Sequence, residues 1–177
     1  MDRILLNDTS VLLNLLASGR LVEIVDIAPW RFAIADQVKR EALYLVDDED
    51  GGKIEVSVDL LVSDGVLEVW ELQTTEEHDS FLSYVRVMDD GEAACFALAE
   101  ARSAAVAIDD RRAISQASKL NPDFEIVRTP DLIKLWADTG IPVEEVRTAL
   151  QLIEIRSRYV PPKDHPHAEW WTKTREV

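Results

Sequence analysis

The chain has 177 residues, 47% of them hydrophobic, so it is long enough for one domain with a sizeable core and too apolar for general disorder. Its 34 acidic and 19 basic residues give a formal net charge of −15, which opposes non-specific binding to nucleic acid because such binding depends on neutralising phosphates. The same charge is compatible with a solubilising surface, a site that collects cations, or a surface for a basic partner.

The first part of the chain predicts strands alternating with helices. An apolar strand over residues 4–6 is followed by four residues of helix-capping type and by a helix over 11–19 that a glycine ends. A short helix over 20–25 and a strand over 32–35 come next. Asp8 is therefore the second residue after the first predicted strand.

A helix is predicted from Asp36 to about Val46. Glu41 lies three residues after Val38 and four before Leu45, so it falls on the apolar stripe of that helix. A carboxylate in this position is partly desolvated unless it meets a cation. Glu41 is therefore a candidate functional residue.

The next segment begins with an acidic, glycine-rich loop over residues 47–52, which lacks the ligand spacing of an EF-hand and is interpreted as a solvated loop. A short helix over 58–63 follows. Residues 66–72 alternate between apolar and polar and predict a strand at a sheet edge. A further helix is expected over 75–87.

The centre of the chain combines a helix and a strand with acidic residues at their ends. An alanine-rich helix over 88–102 has an acidic start that includes Glu92. The apolar run over 104–108 ends in Asp109 and Asp110, a pattern typical of a buried parallel strand emerging at the edge of its sheet.

The remainder predicts a helix over 111–120, a strand over 124–127, a helix from Thr129 to Gly140 and another that Pro142 begins. Strands alternating with helices indicate an α/β protein, with a central, mainly parallel sheet between two helical layers. We expect one domain over residues 1–160 and an irregular tail over 161–177.

The single cysteine and the apolar pattern predict the cellular setting. Cys95 excludes a disulfide framework within the chain, and we expect it to be a small core residue in a reducing compartment rather than a nucleophile. No apolar run is long enough to cross a bilayer, and the first residues lack the features of a signal peptide. The expected location is the cytoplasm, without a membrane partner.

Acidic residues recur where strands end and helices begin, and in an open α/β sheet ligand sites gather beyond the carboxyl ends of the strands. Oxygen ligands suit Mg²⁺ or Mn²⁺, and such an ion can stabilise charge during phosphodiester hydrolysis. The candidate metal ligands are Asp8, Glu41, Glu92, Asp109 and Asp110.

Each of these acids also has a structural interpretation. Asp8 and Asp110 could cap the helices that follow them, and Asp89 with Glu92 has the spacing of a capping box. Glu41 could lie on a solvated helix face. Taken singly the structural interpretation is favoured, whereas the set as a whole favours a common site.

Three segments resemble the PIN-domain family. The stretch from Leu5 to Leu12, with its Asp-Thr-Ser, resembles the family's opening strand. The sequence from Asp90 to Ala94 is similar to its Gly-Glu-Ala helix start, and Ala107 to Arg111 is similar to its late strand ending in Asp-Asp-Arg. The resemblance covers roughly residues 3–155. The family usually has an apolar residue where this chain has Asn7, and the acidic loop and Trp-rich tail lie outside the family pattern.

The resemblance implies a PIN-like α/β/α fold and a metal-dependent ribonuclease, commonly the toxin of a toxin–antitoxin pair. It assigns Asp8, Glu41, Glu92 and Asp110 as catalytic metal ligands for Mg²⁺ or Mn²⁺, with Asp109 as a further ligand and Thr9 or Ser10 in support. RNA as substrate, an antitoxin protein and a homodimer are the implied partners. The alternatives are a non-catalytic PIN-like binding or regulatory module and, ranked low, a phosphatase that uses a nucleophilic aspartate.

Basic and aromatic side chains near the site and in the tail have two interpretations each. Phosphate contacts and ordinary helix surface are both open for Arg102, Arg111, Arg112 and Lys119. Trp170 and Trp171 could stack on bases, but packing on the body or on a second subunit is favoured. Two tail histidines, His165 and His167, are weak evidence for a metal site because no third ligand is evident.

Overall fold

The computed structural model describes residues 3–41 and 43–176. The elements, in chain order, are β1 (Arg3–Asn7), α1 (Thr9–Ser18), α2 (Leu21–Ile27), β2 (Trp30–Ala35), α3 (Asp36–Lys39), β3 (Leu43–Val46), β4 (Lys53–Val56), α4 (Asp59–Ser63), β5 (Glu68–Trp70), α5 (Thr75–Tyr84), α6 (Asp90–Arg102), β6 (Ala105–Ala107), α7 (Arg111–Leu120), β7 (Ile126–Val127), α8 (Thr129–Ala137), α9 (Val143–Arg156) and α10 (Ala168–Glu176).

These elements divide between two compact units, and all the candidate site residues belong to the first. The first unit comprises the described residues of Met1–Val11, Pro29–Glu41 and Val58–Val127. The second comprises those of Leu12–Ala28, Ala42–Ser57 and Arg128–Val177.

The first unit is built on a five-stranded sheet in the order β5-β2-β1-β6-β7. Every neighbouring pair is parallel, with Leu5 of β1 opposite both Phe32 of β2 and Ala105 of β6. The carboxyl ends of all five strands therefore lie at one edge of the sheet. A parallel sheet flanked by helices confirms the predicted PIN-like α/β/α fold class, and β5 lies at the sheet edge as its alternating sequence predicted.

Helix α6 packs closely on the sheet because its buried face is made of small residues. Residues 93–99 are all buried, and four of these seven are alanines. Cys95 on this face has no exposed surface, which confirms that it is a core residue. Burial raises the pKa of its thiol, so the thiolate that a nucleophile needs is disfavoured. Close packing of α6 brings its acidic first turn to the carboxyl edge of β1 and β6.

The predicted helix from Asp36 to Val46 is wrong beyond its first turn. Helix α3 ends at Lys39, and β3 pairs with β4 in an antiparallel hairpin. Leu43 and Leu45 are buried while Tyr44 between them is exposed, so this segment has the period of two that a strand requires. Ala42, which the predicted helix includes, lies outside the described residues.

The acidic loop over 47–52 is the turn of that hairpin. It reverses the chain, so that β3 before it can pair with β4 after it. Asp47 accepts a hydrogen bond from the Glu49 amide at 2.7 Å, and Gly51 has a φ of 74°. An aspartate that bonds to the backbone and a glycine in the left-handed region are typical of tight turns. Glu41 consequently lies in a bend after α3 and not on a helical stripe.

The tail predicted to be irregular over 161–177 contains a helix, α10, that packs on α9. Trp171 is 1% exposed, and its Nε1 donates a hydrogen bond to Glu154 Oε1 at 3.0 Å. Burial of this indole supplies apolar contact that stabilises helix α10. A buried indole cannot stack on a nucleic-acid base, which excludes this role for Trp171. The boundary at residue 160 stays a prediction. Within the described ranges, no helix has both the length and the apolarity to span a membrane.

Candidate active site

Asp8 lies directly after β1, at the carboxyl edge of the sheet. Its side chain is bonded by Ser10, whose Oγ donates to Oδ2 at 2.6 Å and whose amide donates to the same oxygen at 3.2 Å. The residue is 6% exposed. Burial raises the pKa of Asp8 from 3.8 to about 6, against the lowering effect of the Ser10 hydrogen bonds. Asp8 is thus both a cap for α1 and a carboxyl group that resists ionisation.

Glu41 reaches the same region from the bend after α3. Thr9 Oγ1 donates a hydrogen bond to Glu41 Oε2 at 2.5 Å. Burial raises the pKa of Glu41 above its ordinary value, the Thr9 hydrogen bond opposes this rise, and the negative charges of Asp89 and Asp90 add to it.

Gly91 makes room for the Glu41 carboxylate. A Cβ atom at position 91 would lie 2.4 Å from Glu41 Oε1, closer than any real contact. The glycine is in ordinary helical conformation, so its role is space and not backbone freedom. This contact gives a physical reason for the glycine of the Gly-Glu-Ala segment: a side chain at this position of α6 would displace the Glu41 carboxylate from where it rests.

Glu92 and Asp89 form the capping box that their spacing predicted. The Glu92 amide donates to Asp89 Oδ1 at 2.9 Å, and the Asp89 amide donates to Glu92 Oε2 at 3.4 Å. The pKa of Glu92 rises to about 7, first because of burial and then because of the charges of Asp89, Asp8 and Asp110. Glu92 therefore takes part in the cap of α6 and also lies among negative charges that repel its own.

Asp109 and Asp110 follow β6. Asp110 caps α7, accepting a hydrogen bond from the Ala113 amide at 2.8 Å, as the capping interpretation predicted. Asp110 is also close enough to raise the pKa of Glu92. Asp109 is 9% exposed, between the strand and the helix cap. Its role as a metal ligand stays a prediction.

Asp89 is the shared neighbour of these groups, because its charge raises the pKa of Asp8, Glu41 and Glu92. The main causes of these three shifts are burial, hydrogen bonds and the charges of other acids. The described ion pairs of the first unit engage other acids, such as Glu77, which Arg102 contacts at 2.7 Å. Acids from separate parts of the chain thus form one desolvated, negatively charged region at the sheet edge.

The donor set of this region suits a hard divalent cation, since it consists of carboxylate oxygens. In the geometry of residues 3–41 and 43–176, however, no three Asp, Glu, His or Cys side chains stand close enough to hold one ion. The carboxylates are instead hydrogen-bonded to hydroxyls and helix amides. Binding an ion would require side-chain rotation away from these partners.

A cleft of about 430 Å³ lies beside the acidic region. Asp89, Glu92 and Asp110 form part of its wall, and the guanidinium-bearing side chains of Arg86 and Arg112 form another part. Arg112 was one of the predicted phosphate-binding candidates. Arg86 was not, because it stands alone in the sequence between α5 and α6 and no motif points to it.

The other predicted basic and metal-binding candidates have different surroundings. Arg102 is bonded to Glu77 and lies over the Trp70 ring at 4.7 Å, so the interpretation of Arg102 as a phosphate contact is wrong. In the second unit, the Nε2 atoms of His165 and His167 each lie 3.6 Å from Asp131 Oδ1. Within the described part of the chain, that group does not qualify as a metal site either.

Asn7, the last residue of β1, is a buried polar residue. It has no exposed surface, its Nδ2 donates to the Leu5 carbonyl at 2.9 Å, and its Oδ1 has no hydrogen-bond partner. Buried amide oxygens without partners are rare in proteins. The only available signal was the presence of a polar residue at the end of an apolar strand.

The fold and this site define a class: a parallel α/β protein with an acidic region at the carboxyl edge of its central strands. A protein-family model described as PIN domain matches residues 4–167. The chain belongs to the PIN-domain family, whose members are generally nucleases and typically bind divalent metal ions. Searches of curated proteins and of solved structures found no match.

Proposed function

We propose that this PIN-domain protein is a metal-dependent ribonuclease that hydrolyses RNA phosphodiesters. The observation that carries the proposal is the convergence of Asp8, Glu41 and Glu92 into one region where burial and neighbouring acids raise all three pKa values. Perturbed carboxyl groups of this kind cluster at functional sites more than elsewhere.

In this proposal Asp8, Glu41, Glu92 and Asp110 hold Mg²⁺ or Mn²⁺, and Asp109 is a further ligand. A divalent cation bound there would supply a Lewis acid for the attack of water on the phosphodiester and would neutralise charge on the phosphoryl group. The residues of the chain orient the carboxylates.

Hydroxyl groups at the start of α1 orient two of these carboxylates, those of Asp8 and Glu41. Ser10 holds Asp8 at 2.6 Å and Thr9 holds Glu41 at 2.5 Å, so two neighbouring residues fix two acids from different segments. Asp8 and Glu92 have pKa values of about 6 and about 7, so each carries a proton part of the time near neutral pH. An ion would displace those protons because its charge favours the ionised carboxylates.

The test combines metal binding with an RNase assay. We expect the purified protein to bind Mn²⁺ in isothermal titration calorimetry and to cleave RNA with Mg²⁺ or Mn²⁺ but not with EDTA. Asp8→Asn should lower cleavage by at least about 100-fold, because several kcal/mol of metal-dependent stabilisation are lost. Asp123→Asn makes the same chemical change at an exposed residue before β7, at the opposite end of the strands, and should cleave normally. Cleavage that survives Asp8→Asn would contradict the proposal.

A second candidate, a non-catalytic binding or regulatory module, is favoured by one observation. The described carboxylates are engaged in helix caps and hydroxyl bonds and are not gathered around a common point. This candidate predicts no metal-dependent cleavage, together with partner binding that persists when the acids are neutralised. The same assays separate the two.

The role as the toxin of a toxin–antitoxin pair, and the homodimer, are part of the proposal and rest on membership of the family. An adjacent gene for a small DNA-binding protein that inhibits the RNase activity would support the toxin role. Sedimentation of the purified protein tests the dimer.

A further inference from the structure

The β3–β4 hairpin of the second unit has an open outer edge. Among residues 3–41 and 43–176, β4 pairs with β3 alone, and these two strands form a sheet of their own. The residues of β4 are exposed or half-buried, and Ile54 is 42% exposed although it lies opposite the buried Leu45. A two-stranded hairpin is marginal in water without further strands or packing. The outer edge of β4 is therefore a candidate surface for pairing with another strand.

Helix α9 holds the hairpin in place from the side of β3. Arg156 of α9 donates to both carboxylate oxygens of Asp48 in the hairpin turn, at 3.1 Å each. An arginine that bonds both oxygens of a carboxylate fixes geometry as well as charge. Leu43 and Leu45 of β3 are buried, and β3 contacts α9. The hairpin is thus anchored through β3 and its turn, which leaves β4 on the outside.

The backbone of β4 turns two of its residues towards the outer edge. Hydrogen-bonded and non-hydrogen-bonded pairs alternate along an antiparallel ladder. The Asp47 amide donates to the Gly52 carbonyl at 2.8 Å, which fixes this alternation for the hairpin. The N–H and C=O groups of Ile54 therefore face β3, and those of Lys53 and Glu55 face outwards. Outward-facing groups of an edge strand are a template for a strand of another chain.

The sequence of β4 is complementary to itself in the antiparallel direction. Lys53 and Glu55 lie on the same face of the strand, where Lys53 also lies over the Tyr44 ring at 5.3 Å. If Lys53 lies opposite Glu55 of a second copy, both of these cross-strand pairs join opposite charges and Ile54 faces its own equivalent. Registers that place Lys53 or Glu55 opposite its own equivalent bring like charges together, which is destabilising. A lysine on an edge ordinarily discourages pairing, but here Glu55 neutralises it.

We propose that two copies of this chain associate through the outer edges of their β4 strands, which form one antiparallel sheet across a two-fold axis. Lys53 of each copy pairs with Glu55 of the other, and the two Ile54 side chains cover each other. The inference rests on the homodimer of the proposed function, whose surface it assigns, and it needs neither the metal nor RNA. Two short strands bury much less than the roughly 1,200 Å² at which stable interfaces begin, so the dimer is weak and forms only at micromolar concentrations.

Charge reversal tests the register. Sedimentation equilibrium of the full-length protein, up to about 300 μM, should give a dimer dissociation constant of about 10–100 μM. Lys53→Glu and Glu55→Lys each place like charges in both cross-strand pairs, so each should weaken the dimer by about 5-fold or more. The double variant restores opposite charges in both pairs and keeps the net charge, so its dissociation constant should return to within about 2-fold of the wild-type value. Circular dichroism checks that each variant is folded.

Two further variants serve as a control and as an independent measurement. Glu76→Lys makes the same charge change as Glu55→Lys at an exposed residue in the first turn of α5, and it should leave the dissociation constant unchanged. Ile54→Cys should form a disulfide between two copies under mild oxidation, because residue 54 faces its own equivalent across the axis. Cys95 is buried and does not interfere. Glu49→Cys, in the hairpin turn, should not form this cross-link.

The outcomes separate this inference from the proposed function. Rescue by the double variant supports pairing through β4, whereas a double variant as weak as the single ones overturns it. A dimer that no change in β4 affects uses another surface, which overturns the assignment and keeps the homodimer. A protein that stays monomeric up to about 300 μM overturns both. A protein that dimerises through β4 but does not cleave RNA with Mg²⁺ or Mn²⁺ supports this inference and contradicts the nuclease.

Discussion

Gly91→Ala is the sharpest perturbation of the proposed metal site, because it adds one methyl group without removing any ligand. The new Cβ would lie 2.4 Å from Glu41 Oε1, whereas ordinary contacts begin near 3.4 Å. The atom that the new Cβ would meet is the far end of a flexible side chain, so the Glu41 carboxylate must shift by about 1 Å or rotate. We expect this movement to weaken or break the hydrogen bond that Thr9 Oγ1 donates to Glu41 Oε2.

The effects on stability and on metal binding should differ. Alanine is favoured over glycine in helices by up to about 1 kcal/mol, and the lost hydrogen bond costs about 0.5–1.5 kcal/mol. These terms offset each other, so the melting temperature should change by less than about 4 °C. Mg²⁺ and Mn²⁺ require short, well-aligned oxygen contacts, and misplacing a ligand or its support costs about 10–100-fold in affinity.

Titration calorimetry with Mn²⁺ measures the affinity, and thermal unfolding measures the stability. Gly52→Ala is the matched control, since its Cβ would lie 2.8 Å from Asp50 Oδ1 in the acidic hairpin turn. It displaces a carboxylate in the same way but at a solvated loop, and Mn²⁺ binding should be unchanged. Wild-type Mn²⁺ affinity in a folded Gly91→Ala protein would refute the view that Glu41 is a ligand positioned by Gly91.

Four further predictions use groups inside and outside the acidic region. The pKa of Asp8 is raised from 3.8 to about 6, so its contribution to folding of the metal-free protein is fully present below pH 3.8 and is lost as pH rises through 6. The change is roughly 3 kcal/mol, and urea titrations should find it in the wild type but not in Asp8→Asn. The pKa of Glu92 is about 7, so Mn²⁺ affinity should rise between pH 6 and pH 8 with release of protons, measured by calorimetry in two buffers of different ionisation enthalpy. The pKa of Glu77 is lowered to about 2, chiefly by its hydrogen bond with Arg102, so its stabilising effect is present above pH 4.5 and is lost as pH falls towards 2. Glu77→Gln should destabilise the protein by up to about 3 kcal/mol at pH 7 in urea and leave Mn²⁺ binding intact; a loss of metal binding would contradict the separation of this pair from the site. Trp171→Ala should cost about 3 kcal/mol in the same assay and expose the tail to proteases, and a resistant tail would show that the indole does not hold α10 in place.

The sequence by itself determined the parts of the fold that depend on local patterns. The apolar run before Asp8, the alanine-rich body of α6 and the run that ends at Asp109 each carry a signal within ten or so residues, and each forms the predicted element. Helix caps could be predicted from the sequence as well, because a capping residue and its amide partner are only three residues apart. Both Asp89 with Glu92 and Asp110 with Ala113 bond as predicted.

Only the tertiary structure decided the features in which distant segments meet. Glu41 was placed on a helix because its spacing from Val38 fits one, but Leu43–Val46 pairs instead with the strand that follows the acidic turn. The helix in the tail depends on burial of Trp171 against α9, and no local pattern records that surface.

The features of the candidate site can also be divided into those that the sequence determines and those that depend on the tertiary structure. The residue types that could bind a hard cation were evident from the sequence, whereas their mutual repulsion, the space that Gly91 leaves for Glu41 and the approach of Arg86 to the acids were not. The physical reason is the separation along the chain over which each kind of interaction acts. Capping and periodicity act between residues a few positions apart, while electrostatic coupling and packing depend on distances in space that only the folded chain establishes.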